Sequence, residues 1–316
     1  MKFCRTQAEY DAWYALEPNQ SLACVPTLGA LHAGHASLIQ AARRQADRVV
    51  VSIFVNPLQF GPQEDFSQYP RTVEQDARLC EELGVDAVFC PDAALFYPNG
   101  LGAVTQVIPP VEMTHTLCGQ YRPGHFTGVA TIVTMLLNRL KTTMAFFGEK
   151  DAQQLAIIAR LVQDLQLPVQ IIGCPIVREP VPEPGDLFPF PVGLALSSRN
   201  RYLTTPAEKQ VAGLLAQALA HVCTLAGATN QPESPEAAML LQVATDRLHA
   251  SACLIASAHN PSPRFSLQYF TIVNPETLQS CRLAEAGSRV LIAAYVNDVR
   301  LIDNMVITGD ALTAPG

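Results

Sequence analysis

The sequence is poor in charge: Asp, Glu, Lys and Arg make up 16% of its 316 residues, and 21 basic side chains are outnumbered by 28 acidic ones. A net charge of −7 leaves no cationic surplus to hold a polyanion, so sequence-independent binding to nucleic acid or an anionic membrane is not expected. Long apolar runs are also lacking. Charge, Pro or Gly is expected to interrupt each of them before the ~20 residues that a membrane-spanning helix needs. The N-terminal stretch mixes Lys2, Arg5, Glu9 and Asp11 with isolated apolar residues and has no continuous apolar centre of the kind a secretion signal carries. A cytoplasmic chain is expected. The nine cysteines include no CxxC pair, which argues against zinc-ribbon and thioredoxin-like chemistry and leaves them as small buried apolar side chains. No internal repeat or low-complexity array is present.

What is present is ample apolar material, 49% of residues, and a length that at about 150 residues per domain corresponds to two domains. The first 175 residues alternate short β-rich runs with amphipathic helical stretches. Strands are predicted at 21–25, 48–55, 87–90, 143–147 and 169–174, and helices at 36–46, 73–83, 129–140 and 152–163. The run RVVVSIFV at 48–55 is too apolar to have a solvated face, which means a parallel sheet covered on both sides. The fold class is therefore α/β with a doubly wound sheet, whose ligands sit beyond the carboxyl ends of the strands.

Residues 180–192 break this rhythm, with Pro180, Pro182, Pro184, Pro189 and Pro191 denying the backbone a regular ladder. A smaller α+β domain is expected after that loop, giving domains at 1–192 and 193–316. Thr205-Pro206 starts one helix that runs to about Leu225, and Ser234-Pro235 precedes a second that ends near Ala252. Strands follow at 266–273, 289–295 and 300–302, and residues 309–316 read as a frayed tail.

Four motifs fall where chemistry is expected. PTLGALHAGH (26–35) lies between a strand and a helix, and Gly29 and Gly34 allow sharp turns that either bring backbone amides, His32 and His35 to a helix N-terminus suited to phosphate or make an ordinary strand-to-helix turn with incidental histidines. FVNPLQFGP (54–62) ends the next strand, where Asn56 and Gln59 either offer neutral amides suited to hydroxyl and carboxylate groups or, taken alone, belong to the simple turn chemistry of an Asn-Pro pair. FGEKDAQQ (147–154) puts Lys150 where the helix dipole disfavours a cation, so either a bound anion or the neighbouring Glu149 and Asp151 balance it. LSSRN (196–200) sets Ser197 and Ser198 beside the Arg199 fork, either an anion clamp or a solvated turn. In YRPGHF (121–126), His125 reads as a structural histidine in preference to a cleft residue.

Taken in order, PTLGALHAGHASLI, FVNPLQFGPQEDFSQYPR, RPGHFTGV, FFGEKDAQQL, VRE and GLALSSRN closely resemble the pantoate–β-alanine ligase (pantothenate synthetase) family, and RLIDN at 300–304 is a weaker echo. That family is one of the HIGH-motif nucleotidyltransferases and is similar in fold to class I aminoacyl-tRNA synthetases. The resemblance implies a Rossmann-like first domain, a smaller closing domain and a homodimer. It also implies that ATP, pantoate and β-alanine are the substrates, that Mg²⁺ assists, and that pantoyl adenylate is the intermediate. No metal site made by protein side chains alone is implied, because Mg²⁺ is carried mainly on the ATP phosphates.

Residue by residue, the resemblance assigns Leu28, Gly29, His32 and His35 to ATP, with His35 as proton donor to leaving pyrophosphate. Gly148, Glu149, Lys150 and Asp151 are assigned to ATP, Val177 to the neighbourhood of adenine, and Leu196, Ser197, Ser198 and Arg199 to the phosphates. Asn56, Gln59, Gln154 and, with less weight, Gln153 are assigned to the other substrates. Two departures stand out. Leu28 replaces the methionine usual at that position, an exchange that conserves volume. The segment between Glu179 and Gly193 is far longer than is usual in the family, and it is expected to bulge outward or cover the rim of the cleft. Two other readings compete: an enzyme that stops after transferring AMP to a phosphorylated metabolite, and an ATP-binding module without turnover.

Overall fold

The computed structural model describes residues 1–62, 64–179, 190, 192–227 and 234–308. The inserted segment and the tail of the sequence analysis lie largely or wholly outside these residues. The chain divides into two compact units, one of Met1–Glu149 with Gln153–Pro175, the other of Lys150–Ala152 with Ile176 onward.

The first unit contains, in chain order, β1 (Lys2–Cys4), α1 (Gln7–Tyr14), β2 (Leu22–Thr27), α2 (Ala33–Gln45), β3 (Arg48–Ile53), α3 (Val73–Glu82) and β4 (Ala87–Phe89). Three short helices follow, α4 (Ala93–Phe96), α5 (Val111–Thr114) and α6 (Leu117–Tyr121), and then α7 (His125–Leu140), β5 (Met144–Gly148), α8 (Ala152–Asp164) and β6 (Gln170–Cys174). The six strands form one parallel sheet in the order β1-β4-β3-β2-β5-β6.

Strand side chains alternate between two cores, as a sheet covered on both faces requires. Ala23, Val25, Val49, Val51, Val88 and Phe146 pack with Leu38, Ile39 and Ala42 of α2 and Cys80 of α3. Cys24, Val50, Ala87, Phe89, Ala145 and Phe147 pack with Tyr10 and Trp13 of α1, Val133 and Leu137 of α7 and Ile158 of α8. This is the doubly wound α/β sheet that the apolar strands predict.

The second unit holds α9 (Pro206–Gly227), α10 (Ala237–Ser257) and an antiparallel sheet of β7 (Phe265–Val273), β8 (Arg289–Val296) and β9 (Val299–Val306), in the order β7-β8-β9. Val211, Leu215, Leu219 and Val222 of α9 and Leu240, Ala244 and Leu248 of α10 bury one face of this sheet through Val290, Ile292 and Ala294. One expectation is corrected here. The 22 residues of α9 are long and apolar enough, by length and composition, to cross a bilayer. The physical reason is the burial of this helix, for 67% of its most apolar stretch is covered inside the unit.

Other boundaries also move. Helix α2 begins at Ala33, α7 at His125, and α10 runs on to Ser257, while β9 extends well beyond the 300–302 expected. All nine cysteines are free thiols; six are buried, Cys90 and Cys281 are half-buried and Cys253 is exposed.

Candidate functional site

In the first unit, β2 and β3 are neighbours near the middle of the sheet, and their carboxyl ends carry the first two motifs side by side. The loop after β2 is tightly determined. Gly29 has φ +83°, a conformation that calls for glycine, and a Cβ there would also meet Asp76 Oδ2 and Ile53 Cγ2 tightly, at 3.1 Å. Thr27 Oγ1 accepts from Gly29 N at 3.1 Å and donates to Ser52 O at 2.8 Å, pinning the loop to β3.

The carboxylate of Asp76, 2% exposed, accepts from Ala30 N at 2.9 Å and Leu31 N at 2.8 Å, with the Thr72 hydroxyl 3.2 Å from both of its oxygens. It holds the loop after β2 in place. Sequence reasoning missed it, because an acid in the first turn of α3 is ordinary helix-dipole chemistry and nothing local marks a side chain reaching 45 residues back.

His32 is the N-cap of α2, a task that a histidine rarely performs. Its Nδ1 accepts from Gly34 N at 3.1 Å, and His35 Nδ1 accepts in turn from His32 N at 3.3 Å. A ring nitrogen that accepts a backbone N–H carries no hydrogen itself, so in this arrangement both imidazoles carry a proton at Nε2. The two rings lie with centroids 4.2 Å apart. The cap thus fixes tautomer and orientation in a pair of donors at a helix N-terminus, which suits phosphate oxygens.

Asn56 is fully buried, and all its amide atoms are engaged. Oδ1 accepts from Leu58 N at 3.2 Å and Tyr97 OH at 2.6 Å, while Nδ2 donates to Gly128 O and Gln59 Oε1, each at 3.1 Å. Burial pushes the Tyr97 phenol above its ordinary range, keeping it a donor. The backbone groups of Leu58 and Gly128 set which end of Asn56 donates, and Asn56 then sets the polarity of Gln59. With Oε1 engaged, Gln59 has Nε2 left to offer, and Nε2 makes no hydrogen bond among the described residues.

The frame around Gln59 is equally fixed. A Cβ at Gly128 would collide with the Leu58 carbonyl, so α7 can lie against this turn only with glycine there. His125, 8% exposed, is the structural histidine expected from sequence, with Nδ1 2.7 Å from Gln59 O and Nε2 2.9 Å from Arg122 Nη1. Arg122 makes two 2.6 Å bonds to Glu64. Burial raises the pKa of Glu64, but the hydrogen bonds and charge of Arg122 outweigh it and leave the carboxyl below its ordinary value.

The glutamine pair after β5 divides in role. Gln153, 3% exposed, accepts from Cys118 N at 2.9 Å and donates to Met113 O and Thr116 O, holding the 113–118 loop. Gln154 is half-buried and makes no side-chain hydrogen bond among the described residues. Gly148 closes β5, and Glu149 follows it in a short 3-10 turn.

In the second unit, Lys150 lies 3.9 Å from Asp151 through Nζ, a weak pairing with a half-exposed carboxylate. Val177 and Leu196 are brought together: Leu196 N donates to Val177 O at 2.9 Å and Glu179 N to Leu194 O at 2.8 Å, closing the neck of the inserted segment. Ser197 then caps the 3-10 turn Ser198–Tyr202 by accepting from Arg199 N at 3.3 Å. Among the described residues, no group of three or more His, Cys, Asp or Glu side chains could hold a metal ion.

Comparison with known proteins gives the family of the chain. The family model described as pantoate-beta-alanine ligase matches residues 2–306. A bifunctional pantoate ligase/cytidylate kinase of Synechococcus elongatus is 47% identical over 290 residues, which are 92% of this chain and 50% of that protein. The chain thus spans about half the length of the curated relatives it matches first. The crystal structure of pantothenate synthetase from Thermus thermophilus superposes with TM-score 0.83 at 39% identity, covering 98% of this chain and 100% of that one. A pantoate-beta-alanine ligase from Francisella tularensis, crystallised with beta-gamma ATP and beta-alanine, gives TM-score 0.70 at 30% identity and 97% coverage of both chains. With the motif order, the sheet and the match over nearly its whole length in agreement, this chain belongs to the pantoate-beta-alanine ligase family.

Proposed function

We propose that the chain catalyses the ATP-dependent condensation of pantoate with β-alanine to pantothenate, through a pantoyl adenylate and with release of AMP and pyrophosphate. The observation that carries this reading is the pair of loops on adjacent strands: imidazoles fixed as Nε2 donors after β2 and an amide fixed as a donor after β3. One suits a triphosphate, the other the hydroxyl and carboxylate oxygens of a small acid. The ATP and β-alanine complex of the Francisella relative supports the same substrates.

A carboxylate attacks a polyanion poorly until the phosphates are screened, so the residues' task is positioning and charge stabilisation, with no protein nucleophile. In this reading His32 and His35 donate to the phosphates, and His35 follows charge onto the leaving pyrophosphate. Lys150 and Arg199 neutralise the triphosphate and Ser197 and Ser198 donate to it, with Leu28, Gly29, Gly148, Glu149, Asp151 and Leu196 lining it and Val177 beside adenine. Gln59 and Gln154 hold pantoate, while Asn56 and Gln153 act through the groups they hold. The second step is attack of the β-alanine amine on the pantoyl carbonyl, with AMP leaving.

Mg²⁺ belongs to the same proposal, bound chiefly by phosphate oxygens and water as is the usual habit of that ion. When bound it would add positive charge to the triphosphate. A cytoplasmic homodimer belongs to the same proposal, and sedimentation of the purified chain tests the dimer.

Labelled oxygen tests the chemistry. Pantoate carrying ¹⁸O in its carboxylate should deliver one label to the AMP phosphate when β-alanine is added. Label in inorganic phosphate with ADP as co-product, or unlabelled AMP, would contradict the adenylate.

A further inference from the structure

The RLIDN stretch matched the family weakly and has no assigned role, yet its last two residues form a buried polar knot. Asn304, 2% exposed, donates from Nδ2 to the Lys150 carbonyl at 3.0 Å and accepts at Oδ1 from Arg289 Nη1 at 2.5 Å. Its own N–H donates to Asp303 Oδ1 at 2.7 Å. Asp303, with a side chain 2% exposed, takes both arms of Arg178, Nη1 to Oδ2 at 2.6 Å and Nη2 to Oδ1 at 2.8 Å. The same guanidinium donates to Gly193 O at 3.1 Å and Asn304 O at 3.3 Å.

Arg178 sits opposite Ala195 in an antiparallel bridge, one residue from the Leu196–Val177 bond, and β9 also packs against the turn that begins at Ser198. One knot on β9 therefore reaches two cation-bearing segments, by an amide to the backbone of Lys150 and by a forked ion pair to Arg178, which bridges Ala195 and donates to Gly193 O on the segment leading into Ser197–Arg199. Forked pairs specify orientation as well as attraction, and a buried carboxylate with this many donors has a single arrangement.

We infer that Asp303 and Asn304 are positioning residues for the adenylation step, setting Lys150 and the Ser197–Arg199 turn in register with each other; this rests on the proposed reading of those cations as triphosphate ligands. In this inference neither residue is itself a nucleotide ligand. Asn304 acts through the Lys150 backbone, Asp303 through Arg178.

Asn304→Asp is the discriminating variant, since it keeps the shape and the Arg289 contact but sets a carboxylate oxygen against the Lys150 carbonyl. The assay is pantoate-dependent ATP–pyrophosphate exchange. The variant is expected to raise KM for ATP about tenfold and to leave KM for pantoate within about twofold. In a Lys150→Ala background the same change is expected to add less than about a twofold loss, because the backbone carbonyl remains but the ammonium it positions is already gone. That comparison separates positioning from the field of the added charge, which would act in both backgrounds.

Asn304→Ser is neutral and too short to reach the carbonyl. It is expected to show the same pattern, and it carries the test if Asn304→Asp does not fold. Equal losses in the two backgrounds, or an unchanged KM for ATP in folded variants, would overturn the inference. Full exchange activity in Lys150→Ala alone would instead overturn the parent reading of Lys150, and the inference with it.

Discussion

Gln59 illustrates how a backbone decides a side chain's chemistry. The Leu58 N–H can only donate and the Gly128 carbonyl can only accept, so Asn56 has one orientation and Gln59 is left with Nε2 to offer. Gln59→Glu removes that donor and sets a carboxylate against the acid it is proposed to hold. At neutral pH, kcat/KM for pantoate should fall by about 10²-fold or more. A protonated glutamic acid can donate again, so the ratio of variant to wild-type activity should rise as pH falls toward about 4.3. A flat ratio across the pH range would show that Gln59 does not donate. Lys150→Ala should cut pantoate-dependent ATP–pyrophosphate exchange by roughly 10²–10³-fold, the size of losing one preorganised charge-stabilising group; retained exchange would remove Lys150 from the triphosphate.

At the scale of the element, the loop between β2 and α2 depends on a carboxylate from α3. Asp76→Asn halves the acceptor capacity facing Ala30 and Leu31 and turns an NH₂ toward one of their amides. The expected cost is about 1–3 kcal/mol of stability, the usual penalty for an unsatisfied buried donor, together with a raised KM for ATP. Denaturant unfolding and ATP kinetics check the two parts, and an unchanged midpoint would contradict the account of the loop.

Elements were legible in the sequence where burial leaves a long pattern. The central strands read correctly because both faces are covered, as in β3, where every residue is buried. Strand β1, only three residues long at the sheet's edge, and the short helices α4, α5 and α6 carry too few residues for periodicity to register. The start of α2 was displaced because an imidazole does the work of a Ser or Asp cap, and the start of α7 because Gly124, at φ +80°, provides a left-handed entry. The motifs marked the candidate site, but not what holds it. Asp76 lies 46 residues from Ala30, and Arg178 lies 125 from Asp303; no local pattern records contacts of that span.

At the scale of the molecule, one buried histidine gives the fold a pH signature. Burial among α9 and its neighbours, helped by the charge of Arg247, lowers the pKa of His221 below its ordinary 6.5. The unfolded chain therefore binds the proton more readily, and the stability contributed by neutral His221 is fully present above pH 6.5. It is lost as pH falls through the lower folded value. Melting temperature should decline in the wild type below pH 6.5, and decline less in His221→Gln; parallel curves would contradict this assignment.

The two-step ligase reaction is the proposal that rests on the family and on the polar groups fixed on the central loops of the sheet. The most direct test mixes the purified chain with ATP, Mg²⁺ and pantoate, and then adds β-alanine. Pyrophosphate should be released only when pantoate is present, and AMP only after the amine arrives. Nucleotide binding without pyrophosphate release, or pyrophosphate release with no response to β-alanine, would contradict the account.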